Sequence, residues 1–147
     1  MASTQQFQTV LEDLGGQLGL GPLHFADDYS CSLTFDGRIG VDIDYNADTE
    51  EATLFSALGP VPDDRRAAFA EEALEANLFW QGTGGATLGV DAASGQAVLA
   101  MRFPTDGLDS RELRERIERL VDVASDWRDR IESAAPSEVG NAEWTSV

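Results

Sequence analysis

The chain has 147 residues, 42% of them apolar and 25% charged, a length that suits one domain able to bury roughly 70% of its unfolded surface without disulfides or metal. Its 27 acids outnumber 10 bases for a net charge of −17, and every base is an arginine; that field repels nucleic-acid phosphate and anionic lipid, and the lack of lysine excludes a Walker lysine, a Schiff base and a catalytic ammonium. No apolar run approaches the roughly 20 residues of a membrane span, and Met1 to Gln6 carry neither the basic nor the apolar part of a secretory signal, so a cytosolic location is expected.

In chain order, Ser3 with Gln6 fits a capping box, and Phe7, Val10, Leu11, Leu14 and Leu18 fall on one helical stripe. Gly15 and Gly16 weaken the second half of that helix, and Gly19, Gly21 and Pro22 end it. Tyr29 to Phe35 and Arg38 to Tyr45 read as a hairpin across Asp36-Gly37, a pair suited to a type I′ turn because both positions need positive φ. Ile39, Val41, Ile43 and Tyr45 alternate there with Gly40, Asp42 and Asp44, so one face is apolar. A third strand spans Ala52 to Leu58, and Gly59-Pro60-Val61-Pro62 stops it. Pro62, Asp63 and Asp64 start a second helix. It carries Phe69, Ala73, Ala76 and Trp80 on one stripe and Ala70, Leu74 and Leu78 on another, so it has two packing faces, and Gly82 to Gly85 break it.

Strands follow at Ala86 to Asp91 and Gln96 to Phe103. Asp109 and Glu112 then open a third helix, with Leu108 and Leu113 placed as a hydrophobic staple. Its stripe is Leu113, Ile117, Leu120, Ala124, Trp127 and Ile131, and Glu112–Arg116, Glu115–Arg119 and Asp126–Arg130 are spaced for ion pairs. The order α-β-β-β-α-β-β-α gives an α+β domain over 1–135, a strongly twisted antiparallel sheet packed by three helices. The polar stretch 136–147 has no period and is expected to be a mobile tail.

Chemistry-bearing patterns are weak. Cys31 lies in an alternating strand, and the single histidine, His24, sits in a turn-like stretch with nothing to orient it, so neither a thiol nucleophile nor a zinc site is expected. Asp42, Asp44 and Asn46 imitate the start of a calcium loop, but Ala47 stands where glycine is needed and Thr53 where glutamate is needed. Gly82 to Gly85 follows a helix instead of opening one and lacks a basic residue, which argues for a helix stop over a phosphate cradle. Neighbouring acids such as Glu50-Glu51 and Glu71-Glu72 are unavoidable in so acidic a chain and say little about acid–base catalysis. No catalytic residue, metal or cofactor is expected, and the weight falls on binding. A helix ending in Leu78, Phe79 and Trp80 puts large apolar side chains on more than one face, a first sign of a partner.

Glu75-Ala76-Asn77-Leu78-Phe79, the break Gly82-Thr83-Gly84-Gly85, the return Ser94-Gly95-Gln96-Ala97-Val98-Leu99 and Val121-Asp122-Val123-Ala124-Ser125-Asp126-Trp127, together with the element order and acidity, resemble the class I chaperones of bacterial type III secretion, the CesT-like family. The similarity spans residues 3 to 133. It implies a cytoplasmic bacterial homodimer that binds the N-terminal chaperone-binding segment of a secreted effector and holds it extended without nucleotide, with the secretion ATPase as a further partner. It places dimer contacts at Phe69, Ala73, Leu78, Phe79, Trp80, Thr87, Leu88 and Val90. It places effector contacts at Phe7, Leu11, Leu14, Leu33, Phe35, Val41 and Ile43, with strand addition at a sheet edge as one mode. Trp80 departs from the small or polar residue expected there. The alternative is a general protein-interaction or regulatory module on a related fold; a hydrolase dependent on Asp42 or Asp44 is a third reading.

Overall fold

The computed structural model describes residues 4–23 and 29–134. Its elements are α1 (Thr4–Gln17), β1 (Ser30–Phe35), β2 (Ile39–Asn46), β3 (Glu51–Pro60), α2 (Arg66–Asn77), β4 (Thr87–Val90), β5 (Gln96–Pro104) and α3 (Ser110–Ala134). This is the α+β order that the periodicity predicts. Ser3, His24 and the stretch 136–147 lie outside the described residues.

The five strands form one antiparallel sheet in the order β1-β2-β3-β5-β4. The β1–β2 turn is of type I′, with Asp36 at φ 55° and Gly37 at φ 64°, and the Arg38 amide donates to the Phe35 carbonyl at 3.0 Å. One sheet face carries Leu33, Val41, Ile43, Ala52, Leu54, Leu58, Ala97 and Leu99, all buried. Onto it α1 lays Phe7, Leu11 and Leu14, and α3 lays Leu113, Ile117, Leu120 and Ala124. Phe7 stacks on Tyr45 with ring centroids 5.1 Å apart. The other face includes the cross-strand row Ser32, Asp42, Phe55, Ala100 and Thr87, exposed or half-buried throughout.

Several local expectations are corrected. Gly59 does not stop β3: at φ 103° it takes a register shift between Ala57 and Gly59, and the strand continues to Pro60. Gly15 has a packing reason inside α1, because a Cβ there would sit 2.0 Å from the Gly21 carbonyl oxygen. The second helix starts with a single 3₁₀ turn, Asp63–Arg65, and ends at Asn77. Trp80 therefore leaves the stripe of Phe69, Ala73 and Ala76.

On α3 the cap is as expected, with the Glu112 amide donating to Asp109 Oδ1 at 2.8 Å. None of the three expected ion pairs forms among the described residues. The arginines pair instead as Arg111–Glu115, Arg114–Glu118 and Arg128–Glu132, while Arg116 lies over the Phe103 ring and Arg130 over that of Trp127. A guanidinium at the border of the core gains more from an aromatic face than from a solvated acid. Arg38 ties the β1–β2 turn to α3 through Asp129 and Glu132. The bonds from Arg128 and Arg38 hold the Glu132 carboxyl below its ordinary pKa.

The two ends of the sheet differ. At β4, the Asn77 side chain receives the Leu88 amide at 2.9 Å and donates to the Leu88 carbonyl at 3.0 Å, so one side chain takes the place of a neighbouring strand. Asn77→Ala removes both bonds from a half-buried edge. It is expected to lower stability by about 1–3 kcal/mol, read as a reduced midpoint in urea unfolding; an unchanged midpoint would show that the edge does not need this amide.

Candidate functional site

Two apolar features of the described surface bear on binding. The first begins where α2 ends. Leu78 is extended, and Phe79 and Trp80 then both adopt left-handed backbone, at φ 53° and 55°. The Gln81 amide donates to the Leu78 carbonyl at 3.3 Å, closing a tight turn of the type that usually carries asparagine and glycine. Two aromatics at its tip cost about 1–3 kcal/mol each in backbone strain.

The turn is held from both sides. The Gly82 amide donates back to the Ala76 carbonyl at 2.9 Å, and a Cβ on Gly82 would lie 2.8 Å from that of Ala76. Trp127 of α3 donates its indole N–H to the Gly82 carbonyl at 2.9 Å. The side chains are consequently turned outward: Leu74 is 72% exposed, Leu78 56%, Phe79 81% and Trp80 58%. Ala67 and Ala70, also exposed, continue this face toward the start of α2.

The second feature is a groove of about 200 Å³ where the end of α1, the end of β1 and the middle of α3 meet, lined by Leu14, Leu18, Phe35, Ile117 and Val121 with Arg114, Glu118 and Asp122 at its rim. It opens beside the edge of β1 that no described strand covers. Tyr45 donates its amide to the Tyr29 carbonyl, which turns the odd-numbered residues of β1 toward β2. The backbones of Ser32 and Thr34 therefore point away from the sheet, and no strand among the described residues meets them.

These placements redraw the residue sets. Of the seven effector-contact candidates, Phe7, Leu11, Leu14, Leu33, Val41 and Ile43 are buried core side chains, and only Phe35 is partly exposed. As direct surface contacts the first six are withdrawn, apart from the floor that Leu14 gives the groove. Of the dimer candidates, Phe69, Ala73 and Leu88 are buried within the subunit, Phe69 edge-on to Trp127 at 5.9 Å. Leu78, Phe79, Trp80 and Thr87 are exposed and Val90 is half-buried. Sequence reasoning missed Leu74 as a surface residue and Val121 as a groove residue. Leu74 was legible as belonging to the second stripe of α2; Val121 lies off the α3 stripe and gave no signal.

The motifs set aside on sequence grounds have structural roles. In the Gly82–Gly85 break the amides of Gly82, Thr83, Gly84 and Ala86 already donate to carbonyls of the chain, so they are not available to cradle phosphate. Asn46 Oδ1 accepts the amides of Asp48 and Thr49 as a turn, and no group of three or more His, Cys, Asp or Glu among the described residues is placed to hold a metal. Burial and then the charge of Asp42 push the Cys31 thiol above its ordinary pKa, which keeps it protonated and poorly nucleophilic. Alkylation of Cys31 by iodoacetamide at pH 8 is expected to run slower than in the urea-unfolded chain; an equal or faster rate would contradict that environment.

The comparisons with known proteins agree with this architecture. The Tir chaperone protein (CesT) family matches residues 9–128, and the chain belongs to that family. It is 30% identical to the Tir chaperone of Escherichia coli O157:H7 over 114 residues, 78% of this chain and 72% of that one. Among solved structures it is similar to a chain of the HopA1–SchA chaperone–effector complex, at TM-score 0.71 and 24% identity over 86% of this chain and 95% of that one. It is also similar to a chain of the ExsC–ExsE complex, at TM-score 0.77 and 20% identity over 92% of this chain and all of that one, 100%. No described helix is long and apolar enough to cross a membrane.

Proposed function

We propose that this chain is a non-enzymatic chaperone of the bacterial cytoplasm that holds the N-terminal segment of a type III secretion effector extended until export. The observation that carries the reading is the pairing of a sheet edge left open among the described residues with an apolar groove. The client adds a strand along Ser32 and Thr34 of β1, and its side chains enter the groove of Leu18, Phe35, Ile117 and Val121. Main-chain bonds supply affinity without regard to sequence, and the groove selects apolar side chains. Because Asn77 closes β4, strand addition has one direction. Membership of the Tir chaperone family supports the same reading. The secretion ATPase is a later partner of the loaded chaperone on the resemblance alone.

The exposed α2 face is assigned to a second copy. It is small at one end, Ala67 and Ala70, and bulky at the other, Leu78 and Phe79, with Leu74 between. Two copies laid antiparallel about a two-fold axis set each small end against the partner's bulky end. Each copy contributes Leu74, Leu78, Phe79 and Trp80, 56–81% exposed; burying the exposed part of all eight is worth about 8–16 kcal/mol, of the same order as an association cost of about 4–15 kcal/mol.

Phe79→Asp is expected to convert the dimer to monomer by light scattering. Trp80→Gly relieves a left-handed tryptophan, so it should raise the melting temperature of dilute protein while weakening self-association by about tenfold or more. A lower melting temperature with unchanged self-association would remove Trp80 from the interface.

Client binding is tested separately with the secreted protein that co-purifies with the wild-type chain. Leu18→Glu with Phe35→Glu should abolish its co-purification from the wild type's level while leaving the dimer intact. In the wild-type complex, limited proteolysis should leave a protected N-terminal effector segment that behaves as unfolded once released. A folded captured partner would favour the interaction-module reading instead.

A further inference from the structure

A third feature lies away from both surfaces, where the start of α2 meets the end of α3. Val61, Pro62, Phe69 and Ile131 form the apolar walls of a pocket, with Arg65, Arg130 and Glu72 around them. Its enclosed part is only about 20 Å³, room for one small polar group about the size of a water molecule. Among the described residues, neither Arg65 nor Arg130 has a carboxylate within the 4.0 Å of an ion pair. Arg65 Nε is shielded from solvent and has no hydrogen-bond partner, and the Arg130 guanidinium lies over the Trp127 ring, 4.4 Å from its centroid. Arg116 and Arg119 also lack an ion pair among the described residues, so what sets Arg65 and Arg130 apart is that both line one pocket. Two guanidinium groups lining one pocket favour an anion there.

We infer that this pocket is a subsite for an acidic side chain of a bound polypeptide, a glutamate or aspartate flanked by apolar residues. The two guanidinium groups receive its carboxylate, and the neighbouring residues lie against the half-buried Pro62 at the pocket mouth. Charge complementarity selects the carboxylate, and the apolar walls select a peptide over a free anion, which has nothing to set against them. In the proposed function this subsite reads an acidic position in the client, so a molecule of net charge −17 keeps a local preference for acid that its overall field opposes. Glu72, already at the rim, works against the ligand. The inference rests on the client reading for its biological meaning, but its test does not need the effector.

The test is an NMR titration of the full chain, following the Nε–H signals of Arg65 and Arg130 and the amides of Phe69 and Ile131. The probe is the peptide acetyl-Leu-Glu-Leu-amide, with its Gln counterpart as control. The Glu peptide should shift all four groups saturably, and the Gln peptide should bind at least about tenfold more weakly. R65Q/R130Q should abolish the difference, R65K/R130K should retain part of it, and E72Q should strengthen Glu-peptide binding several-fold. If R65Q/R130Q does not fold, the Glu–Gln comparison on the wild type and E72Q decides alone.

Equal binding of the two peptides overturns the subsite. So do equal shifts from inorganic phosphate, which would make it a general anion site, and the same four shifts on E138Q/E143Q without peptide, which would assign it to the chain's own acids. Failure here with effector capture intact would leave the proposed function standing, whereas loss of effector capture alone would leave the subsite standing.

Discussion

The contact between Trp127 and Gly82 decides most of what this molecule presents to a partner. The indole N–H of α3 takes the Gly82 carbonyl, and Gly82 can come that close to Ala76 only because it has no side chain. Once those two points are pinned, the chain from Asn77 to Gly82 has too little length to go on as helix. It closes through Leu78, Phe79 and Trp80, and the left-handed backbone of the two aromatics turns their rings to solvent. Strain in the backbone and apolar area in water are thus two results of one constraint. In the proposed dimer, a second subunit would cover this exposed area.

The same constraint closes one edge of the sheet. Holding the end of α2 beside the sheet brings Asn77 to the outer edge of β4, where its amide satisfies Leu88. The β1 edge, at the other end of a five-stranded sheet, receives no such cover among the described residues. An antiparallel sheet with two open edges pairs indiscriminately; one with a single open edge beside an apolar groove accepts an extended chain in one place. Family membership and this asymmetry are independent lines that lead to the same reading.

Much of the fold was legible in the sequence because it depends on periodicity. The stripe from Leu113 to Ile131, the alternation of Ile39, Val41, Ile43 and Tyr45, the Asp36-Gly37 turn and the Asp109 cap all appear where the spacing puts them. The site was far less legible. Phe7, Leu11, Val41 and Ile43 have the same periodic signature whether a helix of the same chain or a client covers them, and the structure shows the chain covering them itself. The ion pairs of α3 were misread for a related reason: spacing allows Glu112–Arg116 and Asp126–Arg130, but Phe103 and Trp127 lie nearby in space and take the arginines.

By itself, then, the sequence determined the element order, the α+β class, the acidity and the family resemblance, since each is a property of local spacing or composition. Only the tertiary structure decided which apolar residues are core and which are surface, which sheet edge is closed, and that Arg65 and Arg130 converge. Those outcomes turn on contacts between residues distant along the chain, such as Asn77 with Leu88 and Gly82 with Trp127, and a linear pattern carries no record of what lies across from it.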